Sequence, residues 1–166
     1  MSNDIKKTGF NQSTEIDNLR RLNQATVEKF LHQEWEKQWE LFAEDGSVGL
    51  ETPENCKPEE FRVQGIKNLK PHFEGMSKVF PEWKFTNLKI YQTQDPNQFW
   101  VECDGGGRVI FPAYPKATHH SCHFILSFLM EKGKIKQWRE FMNPCKEMLD
   151  VGIEVPIIKR PLGPQS

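Results

Sequence analysis

A glutamate set between two large apolar side chains is the residue of this sequence best placed for chemistry. In the string GKIKQWREFMNP (residues 133–144), apolar and polar residues alternate with a period of two after the turn-forming Gly133. That is the pattern of a strand with two distinct faces. One row holds Trp138, Glu140 and Met142; the other holds Ile135, Gln137, Arg139 and Phe141. A carboxyl group between an indole and a thioether loses water, which disfavours its charged form and raises its pKa. A glutamate tuned in this way serves as acid and base near neutral pH. The plainer reading is an ion pair with a neighbouring Arg or His, or a half-wet face.

His72 is the natural partner. Leu69, His72, Phe73, Met76, Val79 and Phe80 fall on one face of a helix expected over residues 65–80, so the imidazole points where core residues point. A histidine and a carboxylate facing one cavity can give a proton to one atom and take one from another. Alternatively, His72 is a core histidine and Glu140 its structural partner; both readings stand at this stage. The run His119-His120-Ser121-Cys122-His123 carries zinc-type ligand atoms. Strand alternation, however, sends Cys122 and His123 to opposite faces, and no second cluster has motif spacing. No metal is expected, and His120 is read as a pocket residue. Asp104-Gly105-Gly106-Gly107 is not a phosphate cradle, because its glycines lead into a strand and not into a helix. A bulge or sharp bend is expected there. No nucleophile elbow and no dinucleotide fingerprint is present.

The elements that must position these residues read in chain order. Residues 14–42 carry a helical stripe (Ile16, Leu19, Asn23, Val27, Phe30, Leu31) after the N-capping candidates Ser13 and Thr14, with a break near residues 32–34. A turn is expected at residues 44–46, a first strand at 48–50 and a loop at 52–60. Pro71 fits best in a first helical turn, so the next helix is expected to begin later than Ile66. Strands follow at 84–93, 99–103 and 108–111, then a loop at 112–122 holding Tyr114, His119 and His120. Strands at 123–130 and 135–142 are joined as a hairpin across Glu131-Lys132-Gly133-Lys134. Residues 1–13 read as a loose arm, 14–155 as one domain and 156–166 as an extended tail. Helices first and antiparallel strands afterwards define an α+β domain. A curved antiparallel sheet wrapped around the helices makes a cone whose open interior suits a ligand about the size of a small ring system.

Composition narrows the function further. No run of apolar residues is long enough to span a bilayer. The polar start MSNDIKKTGFNQST has no apolar core of a secretory signal, so the cytoplasm is the expected location. Net charge is −1 with basic and acidic residues interspersed, which argues against a nucleic-acid groove. The four cysteines show no C-x-x-C spacing and read as reduced thiols. Five Trp and twelve Phe suit either a thick core or an aromatic-lined cavity.

The strings LFAEDG, FPEW, DPNQFWVEC, FPAYP, GKIKQWREFMNP and GIEVP closely resemble those of the phenazine-biosynthesis A/B proteins, within the SnoaL-like and ketosteroid-isomerase-like superfamily. The resemblance runs from about residue 20 into the tail. It implies the α+β cone (also called nuclear-transport-factor-like), a dimer, and a part in making the phenazine tricycle. In that reaction two cyclohexene amino-ketone carboxylic acids condense head to tail, with no metal and no redox cofactor. Carried over position by position, the family's acid/base glutamate falls on Glu140 and its histidine on His72. Trp83, Met76, His120 and Gln38 fall on pocket positions. Three of these depart from the family pattern. Gln38 stands where an arginine suited to a substrate carboxylate can occur, Met76 where a serine occurs, and His120 where a tyrosine occurs. A lost guanidinium weakens carboxylate binding, and His120 restores some positive character. The homodimer, or a heterodimer with a paralogue, is implied in the same way. Two other functions fit the sequence: a SnoaL-like cyclase or isomerase acting on another ring ketone, and a non-catalytic scaffold that binds a pathway intermediate.

Overall fold

The computed structural model describes residues 4–50, 62–110 and 118–154, with side chains from Ser13 onward apart from that of Leu50. The loop expected at 52–60, Tyr114, Cys56 and the tail at 156–166 lie outside the described residues.

Helix α1 runs Asp4–His32. It starts ten residues before the Thr14 start expected, so most of the expected arm is helical. His32 ends it at the foreseen break, and the short α2 (Trp35–Gln38) and a 3-10 turn (Trp39–Leu41) follow. The first strand, β1, spans Phe42–Leu50. The expected turn at residues 44–46 is absorbed into it as an irregularity, because pairing jumps from Phe42 to Ser47 against two residues of the partner strand. Strand β2 (Arg62–Gln64) leads through Gly65 into α3 (Ile66–Val79). Helix α3 begins at Ile66 despite Pro71: the amides of Asn68 and Leu69 both bond to Gly65 O, which nucleates the helix ahead of the proline. Strands β3 (Lys84–Gln92), β4 (Gln98–Val109), β5 (Thr118–Glu131) and β6 (Lys134–Phe141) complete the sheet, and α4 (Pro144–Asp150) follows.

The six strands lie in the order β2-β1-β6-β5-β4-β3. Four neighbouring pairs are antiparallel, as expected, and one is not: β1 runs parallel to β6. A parallel pair needs a long crossover, supplied here by everything between the two strands. The β5–β6 hairpin turns on Lys132 (φ 49°) and Gly133 (φ 81°), the two left-handed residues of a tight hairpin turn. Helix α1 is fastened to that turn. Gly133 N donates to Asn23 Oδ1 (3.0 Å) and Thr26 Oγ1 donates to Gly133 O (2.8 Å). Asn23 Nδ2 donates to Pro96 O (2.9 Å). Asn23 is fully buried, and these bonds satisfy it.

The glycines at 105–107 form no bulge. Strand β4 pairs continuously with β5 from Gln98↔Leu129 to Val109↔Thr118, and the irregularity sits on the other side, in β3, where Asn87 takes φ 53°. The glycines are needed for space. A Cβ on Gly105 would lie 2.7 Å from the Trp83 and Phe124 rings, and one on Gly107 would lie 2.8 Å from the backbone of Glu82 and Trp83. They let the FPEW turn lie directly on the sheet. A similar adjustment affects β6. A register shift opposite Leu129 and Met130 turns Ile135 inward, so it joins the row of Trp138 rather than that of Arg139. The core is aromatic: Phe30 of α1 meets Trp138 edge-on at 4.7 Å between centroids, and Trp138 stacks on Phe73 of α3 at 6.2 Å.

Candidate active site

Helix α3 covers the concave face of the sheet, and a cavity of about 360 Å³ remains between them. That volume lies within the range of small-molecule sites. Strand β6 occupies an inner place in the sheet, paired on both sides: Leu126 of β5 and Leu50 of β1 flank Glu140. The carboxyl is thus carried on one of the most constrained strands of the fold. Its neighbours Trp138 and Met142 line the same cavity. Glu140 lines the cavity, and burial pushes its carboxyl up to about 8, with the negative charge of Glu147 adding to the effect. Glu140 therefore holds its proton at neutral pH.

His72 lines the cavity from α3, and burial pushes its imidazole below the usual histidine range, so it is neutral at pH 7. Met76 stands one helical turn further along and Trp83 enters from the FPEW turn; both also line the cavity. His120 is on β5, not in a loop as expected, because strand pairing extends to Thr118. Alternation turns His120 inward with Cys122 and Phe124, leaving His119 and His123 on the other face. His120 is 1% exposed, and its ring stacks on Trp83 at 5.7 Å. Its Nδ1 is 2.8 Å from Asp150 Oδ2, while its buried Nε2 has no protein partner. The indole N–H groups of Trp35, Trp83 and Trp138, all from cavity-lining residues, are likewise buried without a protein acceptor.

Gln38 is the exception. It does not line this cavity. Its Nε2 donates to Phe30 O (3.1 Å) and Gln33 O (3.2 Å), stapling the corner between α1 and α2. The side chain faces the helix end it caps, which takes it away from the ligand space.

Two residues in the site went unread in the sequence, Glu147 and Asp150, both on α4. Glu147 lines the cavity, and burial raises its carboxyl, an effect that His120 partly relieves. Asp150 holds His120 and accepts a further hydrogen bond from Lys146. The signal was available. Asn143 caps α4 by accepting from Cys145 N (3.1 Å), and Pro144 occupies its first turn. Asn-Pro ahead of CKEMLD is a recognisable helix start.

A curved sheet closed over a helix is the α+β cone of the SnoaL-like and NTF2-like proteins. An NTF2-like protein from Anabaena variabilis shares the fold (TM-score 0.56, 17% identity, 76% of this chain and 90% of that one). Sequence relationship narrows the class to one family. The family model for phenazine biosynthesis protein A/B matches residues 1–165, and the chain belongs to that family. It is 44% identical to phenazine biosynthesis protein PhzA1 of Pseudomonas aeruginosa over 149 residues, 88% of this chain and 90% of that protein. PhzB1 of the same organism is 43% identical over 150 residues, 89% and 91% of the two chains. The crystal structure of a phenazine biosynthesis-related protein (phzb2) from P. aeruginosa superposes with a TM-score of 0.80 at 41% identity, covering 87% of this chain and 89% of that one.

Proposed function

We propose that the protein catalyses the head-to-tail double condensation of two molecules of 6-amino-5-oxocyclohex-2-ene-1-carboxylic acid to the tricyclic phenazine precursor, by acid/base catalysis without a cofactor. The observation that carries this reading is a glutamic acid holding its proton at neutral pH inside a ring-sized cavity that it shares with a neutral histidine. Imine formation needs those two functions. An acid must protonate the departing hydroxyl, and a base must take the amine proton. The cavity adds proximity, which converts a bimolecular encounter into a reaction between held neighbours. Trp83, Met76 and His120 shape the space around the rings.

Among the described residues no helix is long and apolar enough to cross a membrane; the proposal places the protein in the cytoplasm with its small, polar substrate. A dimer is part of the same proposal. Coexistence of PhzA1 and PhzB1 in one organism makes a pairing of paralogues a natural variant of it. The test is to generate the amino ketone enzymatically and follow tricycle formation with wild type, with Glu140→Gln and in buffer. Wild type is expected to accelerate the reaction and Glu140→Gln to lose about 10²–10⁴-fold of that acceleration. Equal rates in all three would refute catalysis and leave ligand binding as the function.

A further inference from the structure

We infer that Glu147 is a second catalytic residue, working with Glu140 across one cavity as a pair of carboxyl groups that move protons to and from the condensing substrate. The inference rests on the condensation proposed above. Its geometric basis is the placement of two carboxyl groups, one on β6 and one on α4, along the wall of one cavity. They are close enough for the charge of Glu147 to act on Glu140. Two such groups in a low-dielectric enclosure do not both ionise readily near neutral pH.

The surroundings decide which one keeps the proton. Glu140 is enclosed between Trp138 and Met142, and no cation is among the groups that shift it. Glu147 is half-buried near the mouth and is favoured as the anion by His120, whose Nδ1 rests on Asp150 and behind it Lys146. Of the other groups facing the pair, His72 of α3 is kept neutral by burial. The Cys103 thiol of β4 is pushed up to about 12, by burial first and then by Asp104 and Glu140, and stays protonated. Of the two, Glu140 is the one that holds its proton, and Glu147 is the better placed to take one.

The chemistry balances without an external acid, oxidant or reductant. In the addition step the amine nitrogen forms the C–N bond and the carbonyl π electrons move to oxygen. Glu147, in place of His72, takes one N–H proton while Glu140 gives its proton to that oxygen. Exchange with solvent then removes the proton from Glu147 and returns one to Glu140, which resets the pair. In the dehydration step the C–O bond breaks and water leaves with the Glu140 proton. The nitrogen lone pair closes the C=N bond and the second N–H proton goes to Glu147. Each condensation releases one water, and the same cycle serves both.

The experiment compares wild type, Glu147→Gln and Glu147→Asp in tricycle formation across pH 5–9, alongside titration of Glu140 by NMR of protein labelled with ¹³C at the glutamate carboxyl. Glu147→Gln is expected to lower kcat about 10–100-fold with KM little changed, to flatten the acidic limb of the pH–rate profile, and to move the Glu140 midpoint below that of wild type. Glu147→Asp is expected to recover part of the rate, and it carries the test alone if the glutamine variant does not fold. Wild-type kinetics in Glu147→Gln, or an unmoved Glu140 midpoint, overturns the pair while the condensation reading stands. No acceleration by wild type over buffer overturns that reading and the role assigned to Glu147 in it, whatever the titration shows.

Discussion

Nδ1 of His120 lies 2.8 Å from Oδ2 of Asp150, and this contact joins an inner strand of the sheet to the helix at the cavity mouth. The same helix accepts a second tie, from Thr118 Oγ1 to Asp150 O at 3.1 Å. One short helix is thus held by the strand that carries His120, and it brings Glu147 to the cavity as it docks.

The contact predicts how α4 responds to acid. Burial pushes the Asp150 carboxyl up, but hydrogen bonds from Lys146 and His120 outweigh it and leave the group below the usual carboxylate range. A lowered folded-state value stabilises the fold above the unfolded value, and that stability is lost as pH falls through the folded one. Asp150→Asn is expected to cost about 1 kcal/mol at pH 7, the cost of breaking a partly exposed polar network. That difference should shrink as pH falls below 3.8 and through the lowered folded value. Urea unfolding of both proteins at pH 7 and below pH 3.8 checks this.

Glu140 obeys the opposite sign. Its folded value of about 8 lies above the ordinary 4.5, so the folded state holds a proton that the unfolded chain releases between those values. The protonated acid is tolerated fully below pH 4.5, and stability falls as pH rises from there to about 8. At 1.36 kcal/mol per unit, Glu140→Gln should be more stable than wild type at pH 7 by on the order of 3 kcal/mol while losing activity. Equal stability of the two proteins at pH 7, or a wild type that grows more stable between pH 5 and 8, would contradict it.

Gly105→Ala is expected to disturb the cavity wall directly. The added methyl would sit 2.7 Å from both the Trp83 and Phe124 rings. Overpacking of this kind costs about 1–3 kcal/mol. Because Trp83 lines the cavity and stacks on His120, ligand affinity should fall along with stability. Thermal unfolding and tryptophan fluorescence titrated with phenazine-1-carboxylic acid would show both effects. Gly75→Ala is the control, since nothing lies within 4 Å of a Cβ there.

Gln38→Leu separates fold from function. It removes two hydrogen bonds to the backbone at the α1–α2 corner, one of them buried, and leaves Phe30 O without its side-chain donor. A loss of about 1–3 kcal/mol is expected, with KM for the amino ketone unchanged. A rise in KM without a loss of stability would place Gln38 in the site after all.

The sequence carried the site further than the connections that build it. Glu140 and His72 were legible because strand alternation and helical spacing each assign a side chain to a face, and both faces are the buried ones. Gln38 was misplaced because resemblance assigns a position, whereas the hydrogen bonds at a helix corner decide where an amide points. The glycines at 105–107 read as a bend because a local pattern cannot show that Trp83 will pack against them from another element. Ile135 was assigned to the wrong row for a similar reason: the register shift lies between strands and leaves no mark on either one. The parallel pairing of β1 with β6 is likewise a long-range choice. Helix α4, with Glu147 and Asp150, was the one omission that local signals could have prevented.

The central claim is that Glu140 is a neutral acid in the cavity at the pH where the protein works. Isotope-edited infrared spectroscopy on protein carrying ¹³C at the glutamate carboxyls, with Glu140→Gln subtracted, reads this most directly. The account predicts a protonated C=O band from Glu140 at pH 7 that half-disappears near pH 8. A carboxylate band already complete at pH 6 would contradict it.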